Sequence, residues 1–156
     1  MASIINADTS NGLKLTSDTT GQLDFQSAGS TKATIDTAGN LKFDSGYGSV
    51  ATAYGCRAWV NFDGTGTVAI RDSANVSSVT DNGTGDYTIN FAIAMPDANY
   101  TINANTSFDG GGFTGQQNAQ PKADFTLLTT SFKVVTSNSS NAVLIDATKI
   151  FVVVHR

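Results

Sequence analysis

The chain is predicted to be all-β, with short intertwining N-terminal strands followed by a C-terminal β-sandwich or jelly-roll-like domain. Three observations predict this. All 13 acidic residues among the 156 are Asp and none is Glu. Glu supports helices, whereas Asp, Asn, Ser and Thr compete with the helical backbone for hydrogen bonds. Val, Ile, Phe and Thr also come in short runs with apolar residues two apart, the spacing that puts them on one face of a strand. Finally, clusters of Gly, Asn and Asp punctuate those runs from end to end.

The N-terminal third holds a loose repeat: Gly12-Leu13-Lys14-Leu15, Gly21-Gln22-Leu23-Asp24-Phe25 and Gly39-Asn40-Leu41-Lys42-Phe43. Each copy is a glycine turn followed by a strand with two apolar residues on one face. Thr31–Asp36 adds a fourth strand with Ala33 and Ile35 together. Two large apolar residues per strand are too few to form a core in one chain, and a lone hairpin is marginal in water. Something must cover that face: the C-terminal domain, a partner protein, or the same segment from other copies of the chain, of which the last is the expected cover. Residues 1–50 therefore form an attachment or shaft-like β segment, residues 44–55 read as a linker, and residues 51–156 form the sandwich domain.

In the second part the signals are cleaner. Ala58, Val60 and Phe62 alternate, and Asp63-Gly64-Thr65-Gly66 turns the chain toward Val68 and Ile70, a hairpin signature. Val76 and Val79 lead through the Asp81–Asp86 turn into Tyr87, Ile89 and Phe91. Tyr100, Ile102 and Ala104 follow the Met95-Pro96-Asp97 break. Phe125 and Leu127, Phe132 and Val134, and Val143 and Ile145 continue the alternation. Ile150–Val154 is apolar on both faces, the mark of a central or interface strand. Seven or eight strands at this spacing suggest a sandwich.

Residues 105–123 interrupt the pattern with a polar, Gly-rich loop. Loops of this length are uncommon in compact domains unless they are mobile or bind something, and a plain surface loop is the first reading, with recognition the second. The candidate binding residues on it are Asp109, Gly110, Gly111, Gly112, Phe113, Gln116 and Gln117.

Charge narrows the functional classes. The net charge is −4, and the nine Lys and Arg residues are scattered singly. Nucleic-acid partners usually select a basic stripe, so none is expected. No stretch approaches the roughly 20 apolar residues of a membrane span, and Met1–Asn6 lacks the start of a signal peptide. Synthesis in a cytoplasm is expected, with release by another route such as lysis.

Catalytic chemistry finds little support. Cys56 stands alone, which excludes an intrachain disulfide and a cysteine zinc cage, and a buried thiol is the expected reading. The single His, His155, is one residue from the end, and a Cys56–His155 pair carries no local motif. Asp81 with Asp86, and Asp63 with Asp72, are the carboxylate pairs a glycoside hydrolase would need, but both flank turns, where Asp is favoured anyway. Asp81-Asn82-Gly83 lacks the spaced ligands and closing Glu of a calcium loop. No catalytic residue, metal or cofactor is therefore expected. The Asn-X-Ser/Thr triplets at Asn75, Asn82 and Asn138 are expected by chance in this composition. Trp59 lies on the strand face opposite Ala58, Val60 and Phe62, where core or oligomer-interface packing is expected. Sugar stacking there lacks a second aromatic nearby in sequence.

Some of these residues carry a resemblance. Ala33–Leu41 resembles the "T-I-D-x-x-G-N-L" turns that recur in phage tail-fibre shafts. The stretches Gly55–Val68, Thr80–Phe91 and Ala94–Tyr100 are similar to the C-terminal β domain of fibre proteins from cyanophages and other marine phages. The clearest block runs from about 55 to 104, and the later loop departs from the pattern. The resemblance implies a virion protein without enzymatic activity: a short homotrimeric tail fibre that displays loops for host attachment. Other virion proteins, and host surface polysaccharide or envelope protein, are the implied partners. A head-decoration protein is the first alternative, and a polysaccharide-degrading tailspike the second.

Overall fold

The structure, a computed structural model, describes residues 21–46, 49–107, 117–138 and 141–156. These residues form twelve strands in three antiparallel four-stranded sheets, with no helix among them. The chain divides into two compact units, Met1–Ala53 and Tyr54–Arg156. The all-β sandwich expected from the alternation is therefore present.

The first unit carries β1 (Leu23–Ser27), β2 (Ser30–Ile35), β3 (Leu41–Phe43) and β4 (Ala51–Thr52), paired in that order. The last of these lies in the stretch expected to be a linker. It pairs because Lys42 and Phe43 of β3 offer a free edge to Thr52 and Ala51. The turn between β2 and β3 is built by one carboxylate. Asp36 Oδ1 accepts from the Ala38 and Asn40 amides at 3.0 and 2.9 Å, while Oδ2 accepts from Asn40 Nδ2 and Lys42 Nζ. Gly39 supplies the left-handed residue, with φ at 81°. The Asn40 and Lys42 bonds hold the Asp36 carboxyl well below the usual carboxylate range. Asp36, Gly39 and Asn40 are thus the parts of one tight turn. The Gly12–Leu15 copy lies outside the described residues.

Register stacks the large side chains of this sheet in two rows on one face: Leu23, Ile35 and Leu41, then Phe25, Ala33 and Phe43. Ile35, Leu41, Phe25 and Phe43 remain 40–51% exposed.

The second unit is a sandwich of eight strands. One sheet runs β6 (Ala69–Ala74), β5 (Cys56–Asp63), β12 (Ile150–His155), β9 (Thr101–Thr106). The other runs β10 (Gln117–Pro121), β11 (Ser131–Asn138), β8 (Asp86–Phe91), β7 (Val76–Gly83). Alternate residues of β5, β8, β11 and β12 point inward and make a core that includes Phe62, Tyr87, Ile89, Phe132, Ile150 and Val152. Phe62 meets the Tyr87 ring edge-on with centroids 5.2 Å apart, the arrangement aromatic quadrupoles favour. The doubly apolar C-terminal strand is central, flanked by β5 and β9.

Three local expectations fail. Phe125 and Leu127 sit in an irregular segment and pack on the core from its rim. Val143 and Ile145 make no strand: Ser137 and Leu144 form a single bridge, and Val143 is 56% exposed. The polar interruption is also narrower than 105–123, because β9 runs to Thr106 and β10 begins at Gln117, where β11 offers an edge. Composition marks polarity, but backbone partners decide which polar residues become strands.

Candidate functional site

Of the loop residues proposed to bind, Asp109, Gly110, Gly111, Gly112, Phe113 and Gln116 lie outside the described residues. Gln117 opens β10, its backbone opposite Asn138, so it belongs to the sheet rather than the loop.

The carboxylate pairs have structural partners. Asp81 Oδ1 accepts from the Gly83 amide at 2.9 Å, and Asp63 Oδ1 accepts from the Thr65 amide and hydroxyl while its other oxygen pairs with Arg71 at 2.9 Å. Asp86 Oδ2 pairs with Lys122 Nζ at 2.8 Å. Burial raises the Asp86 carboxyl, but the hydrogen bonds from Lys122 and Asn82 and the Lys122 charge outweigh it and leave the group below its ordinary value. Asn75, in a left-handed corner between β6 and β7 (φ 54°), accepts from the Ile93 amide and donates to the Arg57 and Ile93 carbonyls. Its amide is a structural tie.

Cys56 corrects another expectation, since the residue is exposed rather than buried, its Sγ donating to the Ala58 carbonyl at 3.4 Å. It lies at the end of β5 directly opposite His155 of β12, just past a bulge in the register. The bulge places Cys56 beyond the last inward position, Ala58, which explains why it escapes the core.

Trp59 is half-buried on the outward face of its sheet and takes no part in the core. Register arranges that face in rows. Asn61 lies between Asp72 and Phe151, with Asn105 beyond Phe151. In the next row Trp59 lies between Ala74 and Val153, with Asn103 beyond. Trp59 and Phe151 are thus diagonal neighbours across the β5–β12 pair, close enough for rings to share a surface. Phe151 is 38% exposed. Carboxamides surround the ring pair, and Asn105 donates to Asn103 at 2.6 Å. The Asn61 Oδ1 atom is enclosed and has no donor, at a cost of about 1–3 kcal/mol for an unpaired buried acceptor.

The third row, Cys56, His155 and Thr101, borders a groove of ≈ 290 Å³ lined by Tyr54, Asn99, Thr101, His155 and Arg156. Its guanidinium is fixed: Arg156 grips Asp97 with both ends, one bond at 3.0 Å from Nε. That bond, with help from the Asn99 amide, holds the Asp97 carboxyl below its ordinary value, and the same contact raises Arg156.

No family model, curated protein or solved structure matches this chain. Its chemistry therefore rests on the residues themselves. Among the described residues no group of three or more His, Cys or Asp side chains is placed to hold a metal ion. The outward face offers flat rings, aliphatic surface and amide donors and acceptors beside a shallow groove.

A second polar cluster is structural. The Tyr87 hydroxyl lies 2.9 Å from Asp146 Oδ1 and 3.1 Å from the Gly64 carbonyl, and the Gly85 amide donates to the same Asp146 oxygen at 2.7 Å. Burial, with the Asp146 carboxylate next, pushes the Tyr87 phenol far above its usual range. Sequence reasoning missed Asp146 because its partners lie about sixty positions away. It missed the Trp59–Phe151 pair for the same reason, and the one available signal was that Ile150–Val154 is apolar on both faces.

Proposed function

We propose that this chain is a structural and adhesive component of a phage particle, most simply a short trimeric tail fibre. One observation carries the reading: the apolar face of the first sheet, with Phe25, Ile35, Leu41 and Phe43, is left open to solvent. Fully burying one such side chain is worth about 1.5–3 kcal/mol, so covering four half-open ones gains roughly 3–6 kcal/mol per chain. A cover made by other copies supplies this with closed symmetry, and the Ala33–Leu41 stretch that holds the Asp36–Asn40 turn resembles fibre-shaft turns. In this reading the first unit attaches and assembles. The sandwich faces outward and binds the host surface through many weak contacts that multivalency strengthens.

Gold-antibody labelling of intact particles by electron microscopy tests it. Label on the tail is the expected result. Label over the head makes the chain a decoration protein instead, and no label on any particle sinks the virion reading.

A further inference from the structure

We infer that the outward face of β5 and β12, with the groove beside it, is a binding site for a neutral glycan. The inference rests on the adhesive reading above and gives it a place and a ligand class.

A pyranose ring has apolar C–H faces and a rim of hydroxyls. It binds where a flat apolar surface lies beside groups that both donate and accept hydrogen bonds. Trp59 and Phe151 supply the surface as diagonal neighbours, extended by Val153. Asn61, Asn103 and Asn105 supply the amides in the same two rows. A carboxamide carries two donors and one acceptor oxygen, and beyond the Asn105–Asn103 bond and the enclosed Asn61 oxygen the remaining groups suit hydroxyls that both donate and accept.

Charge selects among glycans. Arg156 is already held by Asp97, and Asp72 stands at the margin of the face. Arg57, two positions from Trp59 along β5, is an exposed cation on this face, but Asp72 opposes it there, so the charge is mixed and a neutral chain fits best. Length also fits. Rows two residues apart advance by roughly 7 Å along the strands, slightly more than one sugar ring. A linear glycan running from Phe151 past Trp59 reaches His155 and Thr101, where the groove begins.

The Asn61 carboxamide points the same way. Its Oδ1 is enclosed without a donor, so a ligand hydroxyl at the surface rewards its turning outward. Covering the face with a second copy of the chain does the opposite, because it strips water from three carboxamides and offers apolar surface in return. The bare apolar face of the first unit suits a second copy, and this mixed face does not.

Trp59 is the only Trp in the chain, so its emission reads this site directly. The full chain is titrated with neutral hexasaccharides of glucose, mannose and galactose in both linkages, and with oligogalacturonate as the acidic probe. A saturable change in Trp59 emission with at least one neutral probe, and none with the acidic one, is expected. Phe151→Ala should weaken that binding by about tenfold or more, the loss of a ring-sized apolar contact. Asn103→Ala, exposed and free of packing duties, should weaken it several-fold with an unchanged melting temperature. Silence toward every neutral probe, a response to the acidic probe alone, or unchanged affinity in both variants overturns the inference. So does an emission shift that tracks protein concentration without glycan, which marks an interface between copies. Tail labelling with a silent Trp59 sinks this inference alone, whereas glycan binding by a chain that labels no particle sinks only the virion reading.

Discussion

Gly85→Ala is expected to destabilise the sandwich strongly. Gly85 sits between β7 and β8 with φ at +64°, where an L side chain costs about 1–2 kcal/mol. A Cβ there falls 2.5 Å from the Thr136 carbonyl oxygen and 2.8 and 2.9 Å from the Ile145 amide and carbonyl. All three are backbone atoms, so the turn itself must shift, at about 1–3 kcal/mol for overpacking. Any shift stretches the 2.7 Å bond from the Gly85 amide to Asp146, the kind of charge-assisted bond worth about 1.5–3 kcal/mol. Since the terms overlap, the expected loss is roughly 4–6 kcal/mol, a large share of a typical 5–15 kcal/mol domain stability. Gly66→Ala is the matched control. Its φ is +61° but its added Cβ meets nothing within 4 Å, so only the conformational cost of about 1–2 kcal/mol applies. Urea unfolding followed by Trp59 emission measures both. A Gly85 loss below about 2 kcal/mol, or one equal to that of Gly66, refutes the close-approach argument.

Acid should weaken the fold: Asp86 and Asp97 titrate below their ordinary value when folded, so their stabilisation is present above the unfolded pKa near 4 and lost as pH falls through the folded one. Alkali should weaken it too, because burial pushes Tyr100 up to about 12 and Tyr87 higher still; their contribution is complete below the unfolded pKa of about 10 and fades above it. A melting temperature that stays flat between the neutral range and either extreme contradicts these assignments. Sedimentation at micromolar concentration should show a trimer that Leu41→Asp combined with Phe43→Asp converts to monomer, and a native monomer would count against the assembly. Cys56 should react with a disulfide reagent as fast in the native protein as in denaturant, and slow native reaction would show that the thiol is covered after all.

Alternation made most of the sandwich legible in advance. Ala58, Val60 and Phe62, or Tyr87, Ile89 and Phe91, name their inward face without any knowledge of partners. What alternation cannot supply is the neighbour. Phe125 and Leu127 show the right spacing, yet they join no strand and remain irregular. Gln117–Pro121 looks like loop, yet pairs because β11 lies beside it. Cys56 escapes the core through a one-residue bulge that leaves no trace in composition. The candidate site was half legible: Trp59 stood out as a large residue on the wrong face, while its companion Phe151 lay almost a hundred positions away.

The two units treat the same period-two pattern differently, and the difference bears on function. In the sandwich each inward face meets a second sheet, so Phe62, Ile89, Phe132 and Ile150 lose all contact with water. Among its described residues the first unit is a single layer, and the same kind of side chain at the same spacing stays about half exposed. A face whose exposed large side chains are all apolar has one efficient remedy, another apolar face, and copies of the chain provide it at no cost in specificity. The outward face around Trp59 is different in kind. Its rings are interleaved with carboxamides, so an apolar cover would strand as many polar groups as it hides rings. A ligand carrying both C–H surface and hydroxyls would satisfy both kinds of group, and for that reason we propose assembly for the first unit and recognition for the second.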